Sequence, residues 1–82
     1  MEDALSINEA IKKRILELCH IKGLSIYKLA QLSCLTQSTI NSVLHRNNSK
    51  TSIYTILKIC NGLDITLSEF FDTDYFHNIF DE

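Results

Sequence analysis

Residues Ser25 to His45 read SIYKLAQLSCLTQSTINSVLH and contain two short amphipathic segments joined by a tight turn. On a helix, which advances about 100° per residue, five compact polar side chains of the second segment fall within an arc of roughly 140°. These five are Gln37, Ser38, Asn41, Ser42 and His45. Ile40, Val43 and Leu44 occupy the opposite side. The pattern predicts a helix with one buried face and one outward face of hydrogen-bonding groups.

The first segment has a matching apolar stripe, formed by Ile26, Leu29, Ala30 and Leu32. Ala30 is small at the point where two helices that cross at a steep angle bring their backbones close together. The two segments therefore have the spacing of a helix-turn-helix motif, whose second helix is suited to the major groove of DNA.

The length and composition favour a single all-α domain. A chain of 82 residues buries about 60–65% of its unfolded surface on folding, which is enough for one modest core. Proline is absent, and glycine occurs only at Gly23 and Gly62. We expect these two glycines to lie where helices end.

Capping residues predict the remaining helices. Two S/T-x-x-E capping boxes, at Ser6 to Glu9 and at Thr66 to Glu69, indicate the starts of the first and fifth helices. Single polar residues are placed to cap the second, third and fourth helices, namely Ser25, Thr36 and Ser52.

The apolar stripes give the orientation of the flanking helices. The first helix has its stripe at Ile7, Ile11, Ile15 and Leu18, before it ends at Gly23. The fourth has its predicted stripe at Ile53, Ile56, Leu57 and Cys60, before it ends at Gly62. The fifth is short and reaches Phe71.

The net charge of −2 conceals an uneven distribution. Residues 1–63 carry all eight basic side chains and four acidic ones, which gives +4, whereas residues 64–82 carry six acids and no base, which gives −6. A basic body is suited to phosphates, and we expect the acidic end to point away from a duplex.

The three cysteines argue for a reduced protein without a metal. Cys19, Cys34 and Cys60 are an odd number and form no C-x-x-C pair, so neither a disulfide framework nor a zinc site is expected. The chain starts without a charged-then-apolar leader and has no apolar run of about 18 residues. We expect a soluble, cytoplasmic protein without a cofactor.

Three stretches resemble the phage repressor/Cro (XRE) type of DNA-binding domain. They are LSIYKLA at 24–30, SCLTQSTI at 33–40 and ILKICNGLDITLSEFF at 56–71, and the similarity extends over roughly residues 6 to 71. The resemblance implies a compact five-helix bundle of the lambda-repressor-like type. We expect residues 1–72 to form the helix-turn-helix domain, with an acidic, aromatic C-terminal tail at 73–82.

The outward face of the third helix is the predicted base-contacting surface. Gln37 and Asn41 can each pair with adenine N6 and N7 through two hydrogen bonds, and Ser38 and Ser42 can make adaptable or water-bridged contacts. The alternative is an ordinary solvated helix face.

A second set of residues is placed to meet phosphates or the groove rim. The resemblance implies that the start of the second helix and the loop after the third touch the DNA backbone. The residues in these places and at the margins of the third helix are Ser25, Lys28, Thr36, Thr39, His45, Arg46, Asn47 and Lys50. Arg46 and Lys50 would either hold the phosphate backbone or be solvated charges in the loop. His45 would either lie at the rim of the groove or make no contact with DNA.

Three positions depart from the family's pattern. Family members often have Gln where Ile26 stands and Glu where Lys28 stands, so one phosphate contact and one cap are missing here. Cys34 stands where glycine is common, and if its φ is positive the cysteine costs on the order of 1 kcal/mol.

The C-terminal tail has two interpretations. One recognition helix contacts only a few base pairs, so sequence-specific binding favours a homodimer on two half-sites about one helical turn apart. Apolar side chains cluster at the C-terminus and are candidates for the dimer surface, namely Phe71, Tyr75, Phe76, Ile79 and Phe80. Alternatively the tail folds back and completes the core of the monomer.

The sequence favours a small stand-alone transcriptional regulator that binds double-stranded DNA and acts as a repressor. The alternative is a protein-interaction module or antitoxin-like partner, in which the tail carries the function and DNA binding is secondary. An enzyme is disfavoured, because His20, His45 and His77 are scattered and no acid pair supports catalysis.

Overall fold

The computed structural model describes residues 6–45 and 51–79. Within these ranges the chain forms five α-helices and one short 3₁₀ helix, and it contains no strand. The α-helices are α1 (Ile7–Lys22), α2 (Ile26–Leu32), α3 (Gln37–His45), α4 (Ile53–Leu63) and α5 (Leu67–Phe70), and the 3₁₀ helix is η1 (Asp74–Asn78). The predicted all-α fold with five helices is confirmed.

The helices begin at the predicted caps. Ser6 and Glu9 form a complete capping box at α1, and Thr66 and Glu69 form another at α5. The Ser52 hydroxyl accepts a hydrogen bond from the Thr55 amide at α4. Each cap provides a partner for a backbone N–H group that the helix itself cannot satisfy, so these local signals fix where the helices start.

Three helices end in the same hydrogen-bonded turn. Gly23, Cys34 and Asp64 have φ values of 68°, 57° and 61°, in the left-handed region. In each turn the next residue donates a backbone hydrogen bond to a carbonyl five positions earlier, at distances of 2.9–3.0 Å. This is the Schellman motif. The residues that follow the three turns, Leu24, Leu35 and Ile65, pack against the core, so each turn also anchors the chain after the helix.

The core lies where α1 to α5 converge. Its largest fully buried side chains are Phe70, Ile15, Leu29, Ile40, Ile59 and Leu63. The predicted stripe of α1 is confirmed, with Ile7 at its margin. The stripes of α2 and α4 were predicted less well. Leu32 is exposed, and α4 buries Ile56, Ile59, Cys60 and Leu63 while Ile53 and Leu57 face outward.

The sequence predicted that Gly62 ends α4, and this prediction was wrong. The helix continues to Leu63, and Asp64 takes the left-handed position. Gly62 instead lies against the end of α2, where a Cβ atom would collide with the Ser33 hydroxyl oxygen and stand 3.0 Å from the Ser33 nitrogen. Ser33 is buried and its hydroxyl has no hydrogen-bond partner. The glycine therefore permits the close approach of α2 and α4.

The C-terminal tail packs against its own chain. Phe71 and Phe76 lie against the core, with their ring centroids 5.0 Å apart. The Tyr75 hydroxyl donates a 2.8 Å hydrogen bond to Glu17 Oε1 on α1, and the Lys13 ammonium lies 4.8 Å from the Tyr75 ring centroid. The described part of the tail thus completes the monomer, which is one of the two interpretations that the sequence left open. Phe80 lies outside the described residues.

Arg14 joins α1 to the end of α5. Its Nε donates to the Phe70 carbonyl and its Nη2 to the Glu69 carbonyl, both at 2.6 Å, and its Nη1 lies 3.5 Å from Glu17 Oε1. These bonds satisfy carbonyls that the short helix α5 leaves free. Arg14 therefore has a structural role, although the charge count included it among the basic side chains of residues 1–63.

A Gly62→Ala variant tests the contact between α2 and α4. Alanine in an ordinary helix interior stabilises by up to about 1 kcal/mol relative to glycine. At this position the collision with Ser33 should instead lower the free energy of unfolding by about 1–3 kcal/mol, measured by urea denaturation. Ser33→Ala alone should be neutral or stabilising, because it removes a buried hydroxyl without a partner. The double variant should recover part of the loss, and strictly additive effects would contradict the contact.

Tyr75 provides a test of the tail's attachment by pH. Burial, and then the hydrogen bond and negative charge of Glu17, raise the pKa of Tyr75 to about 12. In the unfolded chain the pKa of tyrosine is near 10. The contribution of protonated Tyr75 to the free energy of unfolding is therefore complete below about pH 10, and it is lost as the pH rises towards 12. Tyr75→Phe should cost about 1 kcal/mol at pH 7 and abolish this alkaline loss. Tyr54→Phe is the control, because Tyr54 is exposed; an equal effect of both variants would contradict the assignment.

Candidate nucleic-acid interface

Helix α3 has the two faces that the sequence predicted. Ile40 and Leu44 are buried, at 0% and 4% exposure, and Val43 packs beside them. On the opposite side Gln37, Ser38, Asn41 and His45 are exposed, and Ser42 is half-buried. The structure thus brings the four predicted base-contacting residues, with His45, onto one outward surface. We call α3 the recognition helix and this surface the polar face.

Two amides on the polar face are coupled to each other. Gln37 Nε2 donates a hydrogen bond to Asn41 Oδ1 over 3.5 Å. The bond leaves the Asn41 amide hydrogens and the Gln37 carbonyl oxygen unused. The pair therefore presents both donors and an acceptor outward, which is the combination that base edges in the major groove require.

Hydroxyl groups hold the start of the recognition helix. The Thr39 amide donates to Thr36 Oγ1 at 3.1 Å, and the Thr36 and Thr39 hydroxyl oxygens are 2.9 Å apart. Thr36 therefore caps α3, as its position predicted. This hydrogen bonding fixes the first turn, which carries Gln37 and Ser38.

The turn between α2 and α3 fixes how the polar face is presented. The Cys34 amide donates to the Gln31 carbonyl at 3.2 Å, and the Leu35 amide to the Ala30 carbonyl at 3.0 Å. Cys34 has a φ of 57° in this turn, where glycine would be unstrained, so the cysteine costs about 1–2 kcal/mol. The geometry of the turn is kept in spite of the substitution.

The start of α2 supplies an exposed cation. The Ser25 hydroxyl accepts a 3.0 Å hydrogen bond from the Lys28 amide, and the Lys28 side chain is exposed. Ile26 packs against the core. It therefore contributes burial at the position where many family members place an amide. Arg46, Asn47 and Lys50 lie outside the described residues.

One exposed pair on α2 escaped the sequence analysis. Gln31 Nε2 donates to the Tyr27 hydroxyl at 3.2 Å, and both side chains are exposed. They lie on the same helix as Lys28 and add hydrogen-bonding groups to its surface. The available signal was the i, i+4 spacing of a phenol and an amide.

Metal-ligating and thiol side chains of the described residues do not gather at the polar face. In the ranges 6–45 and 51–79, no group of three His, Cys, Asp or Glu side chains is arranged to hold a metal ion. Cys19 and Cys60 are buried free thiols; burial raises the pKa of Cys19, and it raises that of Cys60 to about 11. Both thiols therefore stay protonated and unreactive near neutral pH.

Membrane insertion has no support in the helices of the described ranges. None of those helices is both long enough and apolar enough to pass through a bilayer.

The helices α2 and α3 with their tight turn, the cap of the recognition helix and its outward amides define a helix-turn-helix DNA-binding domain. The chain belongs to the Cro/C1-type helix-turn-helix DNA-binding domain family, whose model matches residues 14–74. This family consists of DNA-binding domains and not of enzymes.

A solved structure has the same fold. The chain is similar to the crystal structure of the prophage Lp1 protein 11, with a TM-score of 0.80 and 30% sequence identity. The similarity covers 90% of this chain and 97% of that one. A comparison with curated proteins gave no match.

Proposed function

We propose that this protein is a small transcriptional regulator that binds a specific double-stranded DNA operator as a homodimer and represses by occupying it. The observation that carries the proposal is the polar face of the recognition helix, which combines outward amides with a buried opposite side. Family membership supports DNA binding, and similarity to a prophage protein is consistent with a regulator of the phage type.

The polar face would supply the sequence specificity. Gln37 and Asn41 are assigned to base edges, with adenine as the preferred partner, because an amide can donate to N7 and accept from N6. Their mutual hydrogen bond supports this assignment by limiting the orientations of both amides. Ser38 and Ser42 are assigned to shorter, adaptable or water-bridged contacts.

Phosphate contacts would position the recognition helix without contributing specificity. We assign this role to Ser25 and Lys28 at the start of α2 and to Thr36 and Thr39 at the start of α3, with His45 at the rim. Arg46, Asn47 and Lys50, in the loop that follows, are proposed as further contacts from their sequence position.

One observation favours a second candidate function. Ile26 packs into the core at a position where family members often carry a phosphate-binding amide. A chain that lost this contact could serve as a protein-interaction module, such as an antitoxin-like partner, with DNA binding secondary. The dependence of duplex binding on salt separates the two functions, because phosphate contacts release counterions and make affinity fall steeply with ionic strength.

Substitutions on the polar face and on α2 should have different effects. A duplex is first recovered from a random pool with the full chain. Asn41→Ala or Gln37→Ala should then lower discrimination at one base pair by about 1–3 kcal/mol. Lys28→Ala should weaken all duplexes alike and reduce the salt slope by about 1. The measurement is fluorescence anisotropy against a set of single-base variants at several salt concentrations.

Asn61→Ala is the matched control, because Asn61 is an exposed amide on α4 and not on α3. It should leave the base preference unchanged. Equal loss of discrimination from Asn41→Ala and Lys28→Ala would refute the assignment of roles. Duplex binding that is absent, or that does not respond to salt, would favour the interaction module.

A further inference from the structure

The two amides of the polar face are held close together in the free protein. Gln37 and Asn41 are four residues apart on α3, a spacing at which side chains of one helix meet. Gln37 Nε2 donates to Asn41 Oδ1 over 3.5 Å. The backbone of this turn is held by the Thr36 cap and by Ile40, which is fully buried. The pair is therefore formed before any DNA is bound.

The bond between the amides divides their remaining groups into a donor and an acceptor. Asn41 Oδ1 accepts from Gln37, which leaves Asn41 Nδ2 and its two hydrogens for a ligand. Gln37 uses one hydrogen of Nε2 in this bond and keeps Oε1 as an acceptor. Asn41 thus offers a donor, and Gln37 offers an acceptor beside it.

The major-groove edge of adenine matches this arrangement. Adenine presents an acceptor, N7, next to a donor, the N6 amino group. The amino group can donate to Gln37 Oε1 while N7 accepts from Asn41 Nδ2. Together with the existing bond between the amides, these contacts close a ring of three hydrogen bonds. Each group in the ring has a partner, and the bond between the two side chains is kept.

The other base edges fit the pair less well. Guanine presents two acceptors, O6 and N7, so Gln37 Oε1 would face another acceptor. Cytosine and thymine have no acceptor equivalent to N7 beside their exocyclic groups. Helix α3 also contains no Lys or Arg, the residues that most often read guanine. The chemistry of the pair therefore favours adenine.

We infer that Gln37 and Asn41 read one adenine jointly, Asn41 by donating to N7 and Gln37 by accepting from N6. This inference rests on the proposed function, since it names the base that the polar face recognises and how the contact is shared. The alternative is independent reading, in which each amide binds an adenine of its own through two hydrogen bonds. Independent reading would require Asn41 Oδ1 to accept from a base as well as from Gln37.

The experiment removes single groups from adenine in a duplex recovered from a random pool with the full chain. Each adenine of one half-site is replaced in turn by 7-deazaadenine, which lacks N7, and by purine, which lacks the amino group. With the unchanged protein, both analogues should weaken binding about five- to tenfold at one and the same adenine. Gln37→Ala and Asn41→Ala should each reduce these losses at that adenine and leave the losses at other adenines unchanged.

A further variant tests which amide meets which atom. Asn41→Asp keeps an oxygen that can accept from Gln37 but lacks the hydrogens that N7 requires. Its binding should be weaker on every duplex, because phosphates repel a carboxylate. Within this variant the loss of N7 should make almost no difference, while loss of the amino group should still weaken binding about five- to tenfold. The reverse pattern would overturn the inference.

The matched control is Asn61→Ala, which removes an exposed amide from α4 and should keep both losses. Two adenines, one affected only by Gln37→Ala and the other only by Asn41→Ala, would overturn joint reading and leave the proposed function standing. Binding that neither analogue weakens at any adenine would overturn joint reading and the base contacts assigned to the polar face. Failure of the unchanged protein to bind any duplex would overturn the proposed function as well.

Discussion

Burial of Ile40 and Leu44 on the inner side of the recognition helix is the constraint on which the site depends. Each of these side chains is almost completely excluded from solvent, and full burial of such a residue contributes about 1.5–3 kcal/mol. A rotation of α3 about its axis would expose both. Packing of the buried side of α3 therefore fixes the outward direction of Gln37 and Asn41. These two side chains stay exposed without any contact that holds them in place from outside the helix.

The surrounding contacts hold the helices that carry this constraint. Gly62 lets α4 approach the end of α2 closely, and the turn at Cys34 sets the course of the chain from α2 into α3. Arg14 and Tyr75 attach α5 and the tail to α1. Hydrogen bonds and one close approach thus determine how the helices are joined, while burial of apolar side chains supplies most of the stability.

Local signals in the sequence predicted much of this structure. Capping boxes, helical periodicity and the polar face of α3 depend on residues within one or two turns, so they can be recognised without a fold. Gly62 was assigned to a helix end because its neighbour Ser33 is distant in the chain, and Asp64 took the left-handed position. The face of α4 was also uncertain, because that helix is apolar on two sides. The bond between Tyr75 and Glu17 joins residues 58 positions apart, and no local pattern reports it.

The most direct test of the central claim is an NMR spectrum of the full chain bound to its selected duplex. If the polar face contacts base edges, the side-chain amide protons of Gln37 and Asn41 should show nuclear Overhauser effects to base protons in the major groove. Contacts to DNA that come only from α1 or the tail, with the two amides unchanged from the free protein, would contradict the account.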